Sequence, residues 1–166
     1  MFMFLKYVLG VLLIICTSLL QAEERFTAPT FSLLTAGGQI ALGDYKGKVV
    51  YLDFWASWCS PCRDSFPWMN AMQEKYADEG LVIIGINLDE HKKDAEQFLA
   101  EVPADFTIAY DDKGATARKY EIRAMPSAYI IGKDGALLHA HIGFNNRSIV
   151  EYEKNIKQAL SIQSAP

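Results

Sequence analysis

The 166-residue chain is short of the residues that most often carry chemistry, with three cysteines and three histidines. So few cysteines exclude a scaffold stapled by several disulfides. The histidines His91, His139 and His141 do not stand at finger-like spacing and no second cysteine pair exists, so a structural zinc site has too few ligands. Basic runs are also missing. Lys and Arg total 16 against 20 Asp and Glu, for a net charge of −4, and the footprint of a nucleic-acid binder is absent. Long apolar runs are lacking too: Tyr7–Leu20, broken by Gly10, Thr17 and Ser18, covers about 14 residues where a membrane-crossing helix needs roughly 20. No internal repeat, long linker or low-complexity segment divides the chain. The length therefore predicts one compact domain behind a targeting segment.

That segment reads as a signal for export. Lys6 supplies a thin positive region, Tyr7–Leu20 the apolar region, and Leu20-Gln21-Ala22 a cleavage site ending in a small residue. Residues 1–22 are therefore read as a signal peptide and 23–166 as the folded domain. An uncleaved membrane anchor is the alternative, because Leu occupies the third position before the cut. A lipid acceptor role for Cys16 is disfavoured by Ile14-Ile15, which stand where small residues are expected. Once the signal is removed, Cys59 and Cys62 alone remain. A disulfide closing so short a loop restricts the unfolded chain very little, which favours a reactive pair over a staple.

Hydrophobic patterning outlines the domain. Phe31–Leu34 and Gln39–Leu42 flank Ala36-Gly37-Gly38 as a short hairpin. Val49–Trp55 is an apolar run interrupted by Asp53, as expected of a central strand buried on both faces. A helix follows Cys59 to about Glu79, with Gly80 as its stop and a kink expected at Pro67. Leu81–Leu88 is a second buried strand, and Asp89 is placed to cap a helix running to about Glu101. Phe106–Tyr110 is a strand and Ala115–Tyr120 a short helix. Ser127–Ile131 and Ala136–Ile142 form a hairpin through Asp134-Gly135, and a last helix spans Ser148–Ser161. The order predicts an α/β domain: a βαβ unit, a helix, then a hairpin covered by a helix, around one mixed sheet.

The chemistry sits where the strand Val49–Trp55 runs through Ala56-Ser57-Trp58 into Cys59-Ser60-Pro61-Cys62. Cys59 lies just before a helix, where unpaired N–H groups and the helix dipole favour a thiolate nucleophile. Cys62 is one turn on, within reach to resolve a mixed disulfide by attacking Cys59. Pro61 suits the first helical turn, since it loses no needed donor there. Asp53 is a carboxylate in an apolar strand, so burial raises its pKa and suits it to general-base work; an exposed strand-end aspartate is the plainer alternative. Trp55 reads as core, and Trp58 as a shield over the thiols that touches substrate. His139 and His141 share one strand face, a pair that more often is half-exposed than metal-binding. Asn146-Arg147-Ser148 fits a glycosylation acceptor only in a eukaryotic route.

Val50-Tyr51-Leu52-Asp53-Phe54-Trp55-Ala56-Ser57-Trp58-Cys59-Ser60-Pro61-Cys62 resembles the active-site segment of the thioredoxin superfamily. The likeness spans about Phe26 to Leu160. The lead-in hairpin and the helical segment Asp89–Glu101 are most similar to the TlpA/ResA-like branch of extracytoplasmic reductases, which includes cytochrome c maturation proteins. The resemblance implies a thioredoxin-like fold, a central mixed sheet flanked by helices with an N-terminal hairpin and an extra helical segment. It implies a kinked helix at Pro67 and a cis proline at Met125-Pro126 beside the cysteines, where substrate peptide is held. Trp58, Ser60, Pro61, Met125 and Pro126 are then the substrate-binding residues, with Cys59, Cys62 and Asp53 catalytic. Asp53 matches thioredoxin's buried acid, which accepts the proton of the second cysteine. One departure stands out: some ResA-like proteins carry Glu three residues after the second cysteine, where this chain has Ser65, so that role is not carried over.

The expected activity is reduction of protein disulfides in the periplasm, recharged by a membrane thiol donor, with no cofactor beyond the Cys59–Cys62 disulfide and no metal. An oxidant or isomerase of the same fold is the first rival. A metallochaperone using Cys59, Cys62 and His139 or His141 is the second. A peroxiredoxin-like peroxidase is disfavoured, because the segment before Cys59 lacks the expected Pro and Thr arrangement.

Overall fold

The computed structural model describes residues 26–145 and 147–162. The signal reading of residues 1–22 and the acceptor reading at Asn146 lie outside the described residues.

Strand β3 (Val49–Trp55) is buried along its whole length, because both of its faces meet side chains. Its residues divide by parity, as alternation along a strand requires. Val49, Tyr51 and Trp55 join a cluster with Cys59, Cys62, Phe66, Met69 and Ile156. Val50, Leu52 and Phe54 join a second cluster with Phe31, Ile84, Ile86 and Tyr120. Asp53 falls among the odd-numbered set, on the face that holds both cysteines.

Seven strands form one sheet in the order β2-β1-β5-β4-β3-β6-β7. The hairpin β1 (Ser32–Thr35) and β2 (Gly38–Ala41) leads through a 3-10 turn at Leu42–Tyr45 into β3. Helix α1 (Ser60–Tyr76) returns the chain to β4 (Leu81–Asn87), and α2 (Lys92–Glu101) returns it to β5 (Thr107–Tyr110). These two crossovers make β3, β4 and β5 parallel, as a strand–helix–strand unit demands. Helix α3 (Ala115–Lys119) then precedes β6 (Ser127–Ile131), which pairs antiparallel with β3, and β7 (Leu137–Ile142), which pairs antiparallel with β6; α4 (Ile149–Ser161) follows. The mixed sheet, the N-terminal hairpin and the helical segment between β4 and β5 are those the resemblance implies. Among the described residues no helix is long and apolar enough to cross a membrane.

Two details depart from the expectations. Helix α1 ends at Tyr76, and residues 77–80 form turns up to Gly80, whose φ of 95° lets the chain reverse into β4. Pro67 lies inside this helix, which runs past it as one element. Asp89 does not cap α2: the capping position is His91, with no side-chain cap bond. The carboxylate of Asp89 is already engaged elsewhere, by Ser57 and Asn87.

Aromatic packing anchors α1 to the sheet. The Phe66 ring lies 4.9 Å from Trp55, 5.1 Å from Phe98 and 5.2 Å from Phe106 by centroids. Edge-to-face pairs of this kind add to the area they bury. At the far end, the Lys75 ammonium and the Tyr76 hydroxyl both donate to Glu153 of α4, at 2.7 and 2.6 Å. Phe66→Ala is expected to cost about 3–5 kcal/mol of stability through lost burial and the cavity left beneath α1, read by urea unfolding.

Candidate active site

The site is made where β3 hands over to α1. Cys59 is the N-cap of the helix, with φ −83° and ψ 99° and no side-chain cap bond. It therefore sits at the positive end of the dipole of a 17-residue helix. Its own amide donates to Ala56 at 3.0 Å, and the Cys62 amide donates to the Cys59 carbonyl at 3.1 Å. The two cysteines form a disulfide with their Cα atoms 5.3 Å apart. Cys59 keeps 4% of its surface open while Cys62 keeps none, so an incoming group meets Cys59 first. Around it, Trp58 is 72% exposed, Ser60 is exposed and Pro61 half-buried.

The segment that leads into β6 lies at the same end of the sheet, since Ser127 pairs with Phe54 near the end of β3. The Met125–Pro126 peptide bond is cis. Met125 is half-buried and packs on the cluster that contains both cysteines, with Pro126 buried behind it. The bend is held by the Ser127 hydroxyl donating to the Ala124 carbonyl at 2.7 Å and by the Gly143 amide donating to the Pro126 carbonyl at 2.8 Å. The structure thus brings Trp58, Cys59, Pro61, Cys62 and Met125 to one end of the sheet.

Asp53 lies in the middle of β3, paired in register with Gly85 on one side and Ala128 on the other. It is 2% exposed, which removes the exposed strand-end reading. Its Oδ2 atom has no hydrogen-bond partner. Burial holds the carboxyl well above the usual carboxylate range. Such an acid can accept a proton from a thiol closer to neutral pH than an exposed aspartate could.

The two residues that follow Arg63 do not take this role. Asp64 is exposed, and Ser65 is buried with its hydroxyl donating to the Cys62 carbonyl at 3.0 Å. Neither places a carboxylate on the buried side of the pair. The residue that sequence reasoning missed is Asp89. It accepts from the Ser57 amide at 2.9 Å, the Ser57 hydroxyl at 2.9 Å and the Asn87 amide at 2.7 Å. It therefore braces the loop that presents Trp58 and Cys59. The signal available was an Asn-Leu-Asp run at a strand's end, where short polar side chains bind neighbouring backbone.

The histidines stand apart from the disulfide in chemistry. His141 is buried, stacks on Tyr152 at 3.7 Å, and has Nε2 3.1 Å from the Asn155 amide nitrogen. Burial, with His139 adding repulsion, lowers its pKa to about 4. Among the described residues no group of three His, Cys, Asp or Glu is placed to hold a metal ion.

Comparison with known proteins agrees with this arrangement. Residues 25–140 match the model of the AhpC/TSA family. The chain is 34% identical over 131 residues to the thiol-disulfide oxidoreductase ResA of Bacillus thuringiensis subsp. konkukian, covering 78% of this chain and 76% of that one. It is 35% identical over 138 residues to the thioredoxin-like protein YneN of Bacillus subtilis, covering 81% and 80%. Among solved structures, a protein from Chlorobium tepidum described as thiol:disulfide interchange protein DsbE superposes with a TM-score of 0.81 at 47% identity, over 84% of this chain and 99% of that one.

Two outcomes are expected. Because the folded-state pKa of Asp53 is raised, its contribution to stability is fully present below the unfolded value, about 3.9, and falls as pH rises through the folded one. Asp53→Asn should therefore be more stable than wild type at pH 7 to 8, with the difference shrinking towards pH 4 in thermal unfolding. Asp89→Ala leaves the Ser57 amide without its acceptor and should cost about 1–3 kcal/mol, measured by urea unfolding.

Proposed function

The chain belongs to the AhpC/TSA family and, within it, to the thioredoxin-fold thiol–disulfide oxidoreductases, and from that premise we propose that it is an extracytoplasmic reductant of protein disulfides. The observation that carries the reading is the asymmetry of the pair: Cys59, the N-cap of α1, keeps the small exposed surface the pair has, while Cys62 is wholly buried and Asp53 lies buried on the same face of the sheet.

In the reduced state the Cys59 thiolate attacks one sulfur of a substrate disulfide, forming a mixed disulfide and releasing the other substrate sulfur as a thiolate. Asp53, as carboxylate, takes the proton of the Cys62 thiol. The Cys62 sulfur then attacks Cys59 Sγ, expelling the second substrate sulfur as a thiolate and leaving the Cys59–Cys62 disulfide. Two electrons have passed to the substrate. A membrane thiol donor returns them by the reverse exchange, since an exported protein works in a compartment kept oxidising. Trp58, Ser60, Pro61, Met125 and Pro126 line the approach and hold the substrate chain near Cys59. No cofactor other than the disulfide enters this cycle.

Export rests on residues 1–22, read as a signal or an uncleaved anchor, which places the domain in the periplasm. Peptides with closely spaced cysteine pairs suit the site, and a cytochrome c apoprotein is one candidate substrate. A metallochaperone role is less well supported, because the cysteines and the β7 histidines form no common ligand group among the described residues.

The reduction potential of the pair tests the direction, measured by thiol trapping in dithiothreitol or glutathione buffers. A value near the thioredoxin end, roughly −270 mV, supports a reductant; one towards roughly −120 mV makes the protein a disulfide donor and overturns the stated direction. Cys62→Ser should accumulate a mixed disulfide at Cys59, visible by mass spectrometry, and its absence would count against Cys59 as nucleophile.

A further inference from the structure

One row of paired residues crosses the middle of the sheet: Gly85 of β4, Asp53 of β3, Ala128 of β6 and His141 of β7. Residues directly opposite one another share a face, so Asp53 and His141 lie on the same side, two strand spacings or about 10 Å apart at Cα. Between them stands Ala128, buried and with only a methyl group to fill the gap. On its other side Asp53 meets Gly85, where the Trp55 indole nitrogen, Ile108 and Phe106 fill the place a side chain would take.

Both ends of this gap hold an unpartnered buried polar atom. Asp53 is 2% exposed and its Oδ2 has no partner; His141 is 6% exposed and its Nδ1 has none. Only one further atom shares that condition among the described residues, the Nε1 of Trp55. The Asn155 amide nitrogen, 3.1 Å from Nε2, is a donor, so Nε2 accepts and the ring proton sits on Nδ1. The row therefore carries a free donor at one end and a free acceptor at the other, with only the Ala128 methyl group between them along the pairing direction.

We propose that His141 is a positioning residue for Asp53: its Nδ1–H, acting through a water seated over Ala128, stabilises the carboxylate form that takes the proton of Cys62. The inference rests on the proton-accepting role given to Asp53 above. Stacking on Tyr152 at 3.7 Å with an interplanar angle of 5°, and the bond from Asn155, fix the ring. The other titratable groups facing His141 are Tyr51 from β3, 6.1 Å away by ring centroids, Tyr152 from α4, and His139 from β7 itself at 6.4 Å. β6 contributes Ala128 and Ile130, neither of which titrates. The low pKa of His141 keeps the ring neutral near pH 7, so it acts by hydrogen bonding rather than as a cation. A hydrogen bond to the charged form of an acid lowers its pKa, opposing the rise that burial imposes on Asp53.

The test follows the titration of Asp53 in the reduced full-length chain, by carboxyl 13C NMR without any substrate, beside the pH profile of mixed-disulfide resolution. Three replacements separate donation from packing. His141→Phe keeps a ring against Tyr152 and removes both nitrogens. His141→Asn sets an amide donor near the Nδ1 position, whereas His141→Gln sets one near Nε2. His141→Phe and His141→Gln should raise the Asp53 midpoint by about one pH unit and move the pH profile with it, while His141→Asn should stay close to wild type. An Asp53 midpoint that is the same in all four proteins overturns the inference, as does an equal shift in all three variants, which would mean packing alone. Because the midpoint is read without substrate, it is independent of the direction of electron flow. A normal midpoint shift with an unchanged rate profile would instead count against the catalytic use of Asp53.

Discussion

Burial of β3 on both faces is the constraint from which the rest of the molecule follows. A strand enclosed this way must find two layers of side chains, which α1 and α4 supply on one face and the N-terminal lead-in and the α3 region on the other. The same enclosure traps a carboxylic acid. Asp53 is shut off from bulk solvent and its Oδ2 has no protein partner among the described residues, so its ionised form is held at a disadvantage. That cost is a plain liability for stability, and it is also what brings the acid's affinity for protons into a range useful to a thiol. A better-satisfied aspartate would be more comfortable and a poorer base.

The reactive end of the site owes more to backbone than to side chains. Cys59 is the N-cap of α1, at the positive end of the helix dipole, and Pro61 stands where the helix needs no donor. Position at a strand-to-helix junction therefore sets the two cysteines in different surroundings, one at the N-cap and the other inside the first turn. Helix α1 hides Cys62 completely. This division is what the proposed roles of attacking and resolving sulfur draw on. The brace from Asp89 to Ser57 serves the same end, since a loose loop would blur the difference between the two positions.

Sheet register ties the buried acid to parts of the chain far from the motif. Asp53, Ala128 and His141 come from three strands, yet hydrogen-bonded pairing sets them in a single row. The hairpin β6–β7 thus does more than extend the sheet. Its first strand follows the cis Pro126 at the substrate wall, and its second carries a histidine to the far side of the acid. The proposed substrate wall and the proposed support of the buried acid are thus attached to one hairpin.

Much of this was legible in the sequence because the deciding interactions are local. The apolar run Val49–Trp55 leading into Cys59-Ser60-Pro61-Cys62 specifies strand, turn and helix start by patterning and by proline's preference, without help from distant residues. The break at Asp53 announced a buried acid for the same reason: period-two alternation places it between Tyr51 and Trp55 on one face. What the sequence could not settle depends on contacts across many residues. Asp89 reads locally as a helix cap, and the fold draws it instead to Ser57, 32 positions earlier, because a buried amide and hydroxyl without an acceptor cost more than an uncapped helix end. His141 reads as half of an ordinary strand pair, and only the in-register row through Ala128 sets it across from Asp53. The sequence by itself determined the reactive pair and the strand and helix that present it; the tertiary structure decided which distant polar groups support them, since hydrogen-bond partners are chosen by proximity in space and not along the chain.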